Sequence, residues 1–193
     1  MLFPSARRPA PGAKPRPVGA DACHECALRL LDRRAHSEYE LRTKLRQRQY
    51  PAPVITEVVA NLRRLKLVDD LVFARLLIEQ KQQAGAGRKK LLMELRKRGV
   101  PQELVPQLEE EFFAGDSLQE DEVARAAELL ARKLRGARRS TVPALRKADG
   151  NAMQAKQEAR KRDLGLLRFL AARGFSMSVA RQALEQVQRA GAE

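Results

Sequence analysis

Apolar residues along this chain recur three and four positions apart, the spacing that lines one face of an α-helix. Leu41, Leu45, Tyr50, Val54, Ile55 and Val58 form one such series. Shifted by 50 residues it reads Leu91, Leu95, Val100, Leu104, Val105 and Leu108; a further 75 brings it to Leu166, Leu170, Phe175, Val179, Ala180 and Ala183. Between the two halves stand Gln49, Gly99 and Gly174. Each copy therefore predicts helix, turn, helix. A lone hairpin this short cannot bury its apolar face, so the copies must stack.

The flanking residues extend each copy to three helices. Asp21 is placed to cap a helix running to about Arg34, with Ala27, Leu30 and Leu31 inward. Ser37 starts the next as N-cap, with Glu38 and Glu40 where the helix dipole favours acids. Pro51 and Pro53 then open a helix carrying Val54, Ile55, Val58, Val59, Leu62 and Leu65. Asp69 and Asp70 begin a second unit, with Phe73, Ala74, Leu77 and Ile78 on its first helix and a break near Gly85 and Gly87. Leu91, Leu92 and Leu95 line its second helix, and Pro101 opens a third that ends around Phe112 and Phe113. The last unit carries Val123, Ala126, Ala127, Leu130 and Leu134 from near Asp121, and its hairpin runs from Leu164 to Val187. Between Gly136 and Asp163 the pattern lapses into a basic, polar stretch with Pro143 and an Asp149–Gly150 turn signal. The period-2 alternation of strands is absent. The expected fold is all-α: three tandem three-helix repeats in an elongated, curved array. The expected divisions are an arm over 1–20, repeats over 21–68, 69–115 and 116–193, and an insertion near 136–162 in the last repeat.

Charge changes this picture more than bulk composition does. Aromatic residues make up only 4% and Trp is absent, so the cores must be Leu, Val and Ala. The net charge is +14. Residues 1–20 hold Arg7, Arg8, Lys14 and Arg16 with no acid, among five Pro and two Gly, a composition that reads as a disordered arm. Residues 132–162 hold eleven basic side chains against Asp149 and Glu158. An excess concentrated in this way is an electrostatic footprint for a polyanion, either nucleic acid or an assembly that holds it. The competing reading is two solvated basic segments without a target. No apolar face accompanies the basic stretch, so a membrane surface is a poor partner. No apolar run reaches the ~18 residues of a membrane span, and the start of the chain has no secretory h-region, so a cytoplasmic location is expected.

Four strings of residues, in order, resemble the RecX family, the regulators of the bacterial RecA recombinase. ALRLLDRRAHSEYELRTKL at 27–45 is similar to the family's opening motif, and LVDDLVFARLLIEQK at 67–81 to its Asp-Asp-x-x-Phe-Ala signature. GRKKLLMELRKRGV at 87–100 and RFLAARGF at 168–175 resemble two further family stretches. The resemblance spans roughly residues 22–190. The chain departs from it in the added N-terminal arm and in a longer link between the first two helices of the third unit. What it implies is a binding protein without catalysis, associating as a monomer with RecA and the RecA–ssDNA filament. Such a protein damps ATP hydrolysis, strand exchange and coprotease action, in DNA repair and the SOS response. The rival reading is an independent duplex-binding protein that uses its hairpins as helix-turn-helix elements.

Little in the sequence supports chemistry. Cys23-His24-Glu25-Cys26 has the outline of a metal or redox motif, but a structural zinc needs four ligands and His36 is the only other Cys or His. Buried thiols are the simpler account, and His36 is expected at the surface. Neither His has a nucleophile partner at an interpretable spacing. Gly85-Ala86-Gly87-Arg88-Lys89-Lys90 lacks the Gly-Lys-(Ser/Thr) ending of a phosphate loop. No catalytic residue, metal or cofactor is expected. The residues with a functional reading are basic: Lys133, Arg135, Arg138, Arg139, Arg146, Lys147, Arg160, Lys161 and Arg162 around the insertion, Arg88, Lys89 and Lys90 in the second unit, Arg42 and Arg46 in the first. Contacts of this kind give salt-sensitive affinity without sequence choice. The acidic run Glu109, Glu110, Glu111, Asp116, Glu120, Asp121 and Glu122 is expected to be a solvated face or the side that meets a basic partner.

Overall fold

Capping side chains set where the helices begin. Ser37 Oγ accepts the amide of Glu40 at 3.1 Å, and Asp69 accepts those of Leu71 and Val72 at 2.8 and 3.1 Å. Ser176 Oγ does the same for Val179 at 3.2 Å. Each satisfies donors that a helix leaves orphaned in its first turn. The computed structural model describes residues 19–140 and 152–190. Among these are α1 (Ala20–Arg33), α2 (Glu38–Gln47), α3 (Ala52–Arg64), α4 (Asp70–Gln83), α5 (Arg88–Lys97), α6 (Val105–Phe113), α7 (Asp116–Ser140), α8 (Ala152–Ala172) and α9 (Met177–Ala190). A 3-10 turn, Gln102–Leu104, precedes α6, and no strand occurs among the described residues. Asp21 is not the cap of α1: the helix starts two residues earlier than that cap would set it, with Gly19 at the cap, and Asp21 sits in the first turn, where the dipole favours it. Of the arm expected over 1–20, residues 1–18 lie outside the described residues, and Ala20 already belongs to α1.

The turn between the two hairpin helices is built identically three times. Gln49, Gly99 and Gly174 all adopt positive φ, at 66°, 70° and 90°. The amide of Tyr50 reaches back to Leu45 O, that of Val100 to Leu95 O, and that of Phe175 to Leu170 O, at 3.3, 3.1 and 3.2 Å. One residue earlier, Gln49, Gly99 and Gly174 donate to Arg46, Arg96 and Ala171. This paired pattern is the Schellman ending of a helix, which requires a left-handed residue.

Each repeat then closes its own core. Cys23, Ala27, Leu30, Leu41, Leu45, Ile55, Val58, Val59 and Leu62 pack in the first. Phe73, Ala74, Leu77, Ile78, Leu91, Leu95, Val100 and Leu108 pack in the second. Ala126, Ala127, Leu130, Leu166, Leu170, Phe175, Val179, Ala180 and Ala183 pack in the third. All the superposable positions are buried or half-buried. Two expectations fail at the edges. Leu65 ends α3 and is 52% exposed, because the helix stops before its side chain can turn inward. His36 is buried, only 3% exposed, because the link from α1 to α2 folds it beneath the corner while its Nδ1 meets Arg34 O at 2.9 Å.

The third repeat departs from the other two where its pattern lapses. α1 and α4 have 14 residues and α7 has 25; α2 and α5 have 10 and α8 has 21. Helix α7 runs through Gly136 to Ser140, and α8 begins at Ala152 rather than near Leu164. The repeat offset sets Glu38, the start of α2, on Asp163, so residues 152–162 have no counterpart elsewhere. Eleven residues of helix add about 16 Å. Much of the expected irregular insertion is therefore helix, and residues 141–151 lie outside the described part.

The chain divides into two compact units, residues 1–68 and 69–193. Within the second, repeats two and three meet almost backbone to backbone. The amides of Gly87 and Lys89 donate to the carbonyls of Arg173 and Gly174 at 2.9 and 3.0 Å. A Cβ on Gly87 would lie 2.5 Å from Phe175 N, and one on Gly174 would lie 2.4 Å from Lys90 N. The α4–α5 corner of one repeat thus seats on the Schellman turn of the next, and both glycines are needed for the approach.

Candidate nucleic-acid and partner interface

The basic residues singled out from the sequence fall into sets with different surroundings. Arg42, half-buried on α2, is tied down: its Nε donates to Glu38 at 2.8 Å and its Nη1 to Thr56 Oγ1 at 3.3 Å. Arg46, one turn on, is exposed. In the second repeat Arg88 is also occupied within the fold. Its guanidinium reaches Glu109 at 2.7 Å and lies 5.7 Å from the centre of the Phe113 ring. Lys89 and Lys90 are exposed beside it. They stand on the first turn of α5, against the Arg173–Phe175 turn of the next repeat, so the joint brings basic side chains of two repeats together.

The third set is carried by the long helices. Lys133 and Arg135 are exposed on α7; Lys133 Nζ sits 4.4 Å from the centre of the Phe169 ring. Arg173 stacks on the same ring at 4.8 Å, so two cations share one aromatic side chain. Arg138 and Arg139 fall on the last turns of α7, while Arg146 and Lys147 lie outside the described residues. Arg160, Lys161 and Arg162 are exposed on the segment of α8 that has no counterpart in the other repeats. Lys156 and Arg168 are exposed too, and with Arg160 they recur at multiples of four along one face. Lys156 and Arg168 stand outside the basic residues singled out from the sequence, although their spacing of four and eight from Arg160 is a helical pattern. Three like charges in succession, two turns inside α8, repel one another, and bound phosphate would relieve that repulsion.

The acidic run is not simply a solvated face. Glu109 and Glu111 pair with Arg88 and Arg75 at 2.7 and 2.9 Å. Glu122 is only 8% exposed and accepts the amide of Arg88 at 3.1 Å, capping α5 from the neighbouring repeat in place of a side chain on Gly87. The first repeat holds the remaining groups of interest. Burial pushes the thiol of Cys23 up, with Cys26 adding to the effect, as expected for a cysteine inside a core. Tyr50 donates to Ala22 O at 3.1 Å, and burial raises its hydroxyl pKa. His36 is pushed down, chiefly by burial.

The residues that build these repeats match known families. Residues 23–62 fit the first three-helix domain of RecX, and residues 69–107 fit the second. A protein of Mycobacterium sp. (strain KMS) named regulatory protein RecX is 32% identical over 178 residues, 92% of this chain and 87% of the relative. The chain belongs to the RecX family. Regulatory protein RecX of Pelodictyon phaeoclathratiforme is likewise 32% identical, over 86% of this chain and 89% of its own. The crystal structure of RecX from Lactobacillus salivarius superposes with a TM-score of 0.65 at 16% identity, over 88% of this chain and 96% of that one, and shows the fold alone. Membership fixes an all-α helical-repeat regulatory protein. No helix among the described residues is long and apolar enough to cross a membrane.

Proposed function

We propose that this RecX-family chain is a non-enzymatic modulator that binds RecA and its DNA filament in the cytoplasm. It chiefly lowers the recombinase's ATP hydrolysis, strand exchange and coprotease action. Family membership supports the target. The observation that carries the DNA contact is the α8 segment 152–162, a helix outside the repeated core with Arg160, Lys161 and Arg162 exposed. Lys133, Arg135, Arg138 and Arg139 extend that charge along α7. Lys89, Lys90 and Arg46 supply further cations, while Arg42 and Arg88 contribute through their neighbours because acids already hold them. Few aromatics are available to read bases, so the contact is with phosphate and independent of sequence.

The test is DNA-filament binding by the triple variant R160Q/K161Q/R162Q. Three lost phosphate contacts reduce the slope of log K against log salt by about 2–3. Unchanged affinity and slope at moderate salt would remove these residues from the interface. A preferred duplex sequence retained at raised salt would instead favour an independent helix-turn-helix DNA binder.

A further inference from the structure

The joint between repeats two and three has a counterpart in repeat one with a different character. In repeat three the turn Arg173-Gly174-Phe175 is covered by the preceding repeat's corner, which a Cβ at Gly174 would block. In repeat one the equivalent turn is Arg48-Gln49-Tyr50. It carries an exposed side chain at the left-handed position, and it forms one wall of an open cleft of about 440 Å³. The opposite wall is the outer face of α1, with Cys26, Arg29 and Arg33.

Three guanidiniums line this cleft, against the single carboxylate of Glu25, which pairs with Arg29 at 3.0 Å. Arg33 is exposed, and Arg48 reaches back to the α2 carbonyl of Lys44 at 3.2 Å, fixing its place in the wall. The repeat does not require these charges. At the offset of 50, Arg29 and Arg33 become Glu79 and Gln83, and Cys26 becomes Leu76. The cleft also differs from the Arg42 and Arg46 face, since Arg42 points to Thr56 of α3 whereas Arg48 faces α1.

We propose that this α1 cleft is a second anion site, taking the phosphates of a single strand of nucleic acid independently of α7 and α8. Planar guanidinium forks match phosphate oxygens two at a time, and a cleft between α1 and the Arg48–Tyr50 turn suits a flexible single strand, which can bend into it, better than a stiff duplex. The inference rests on the geometry of the first repeat and not on the recombinase as target.

The chain supplies its own reporter. It has two cysteines; Cys23 is fully buried and Cys26 is half-buried on the cleft wall. Alkylation of the full chain by N-ethylmaleimide, followed by peptide mass spectrometry, reads Cys26 with and without a saturating thymidine oligonucleotide. The expected result is a tenfold or greater slowing at Cys26. The R29A/R33A variant, altered only at exposed positions, loses that protection while its circular dichroism is unchanged and the oligonucleotide still binds at α8. Unaltered Cys26 reactivity under saturating oligonucleotide would overturn the site, and so would protection that survives in the variant. Equal protection by poly-glutamate would overturn the ligand, pointing to an acidic polypeptide; equal protection by duplex DNA would overturn the single-strand assignment. None of these outcomes bears on whether the protein lowers RecA ATPase activity, so the two readings fail separately.

Discussion

Gln49 occupies a backbone position that the other two repeats give to glycine, at φ 66° against 70° and 90°. A side chain in the left-handed region costs roughly 1–2 kcal/mol, part of which glycine returns through its looser unfolded chain. Gln49→Gly is expected to raise the stability of the first repeat by about 0.5–1 kcal/mol, read as a higher denaturant midpoint at constant m. His36 makes a second prediction at this scale. Burial holds its folded pKa below the ordinary 6.5, so on acidification the unfolded chain takes up the proton first. The first repeat therefore has its full stability above about pH 6.5 and loses it as pH falls towards the lowered folded value. Thermal midpoints measured from pH 7.5 to 5 should fall, and His36→Leu should flatten the fall. The capping roles of Ser37 and Asp69 were legible in the sequence because an N-cap is a local arrangement of side chain and amide. The burial of His36 was not, because it depends on how the exit from α1 folds over the core.

Helix α8 shows why periodicity read only part of an element. From Ala152 to Arg162 the residues are Ala, Met, Gln, Lys, Glu and Arg, all strong helix formers, yet no apolar stripe runs through them. A search for buried faces passes over a helix that buries little. Gly136 and Gly165 lie inside α7 and α8 with nothing within 4 Å of an added Cβ. Gly165→Ala is expected to stabilise by about 0.5–1 kcal/mol, and Gly136→Ala to act likewise. Gly87→Ala tests the opposite case. Its Cβ would meet backbone at 2.5 Å, so a cost of about 1–3 kcal/mol is expected in the unit formed by residues 69–193. Equal responses at Gly87 and Gly165 in equilibrium unfolding would contradict the backbone joint.

At the scale of the molecule, the threefold copy of one hairpin was visible because the same six positions carry the core in every repeat. The joint between repeats two and three was hidden. Gly87 and Gly174 read as ordinary helix punctuation, and Glu122 read as one acid in a run, although it caps a helix in another repeat. Such contacts arise only when one repeat is set on another, and no local pattern announces them. The candidate site was legible as a region of charge but not as a surface. Sequence could not separate Arg42 and Arg88, held by their own acids, from Arg160, Lys161 and Arg162, which the long helix presents to solvent. The proposed function requires that this surface act on a recombinase filament without catalysis of its own. Titration of the protein into RecA on single-stranded DNA, with ATP hydrolysis followed, tests it most directly. Hydrolysis should be suppressed by far less protein than there is RecA; hydrolysis unchanged at equimolar protein would rule the proposed function out.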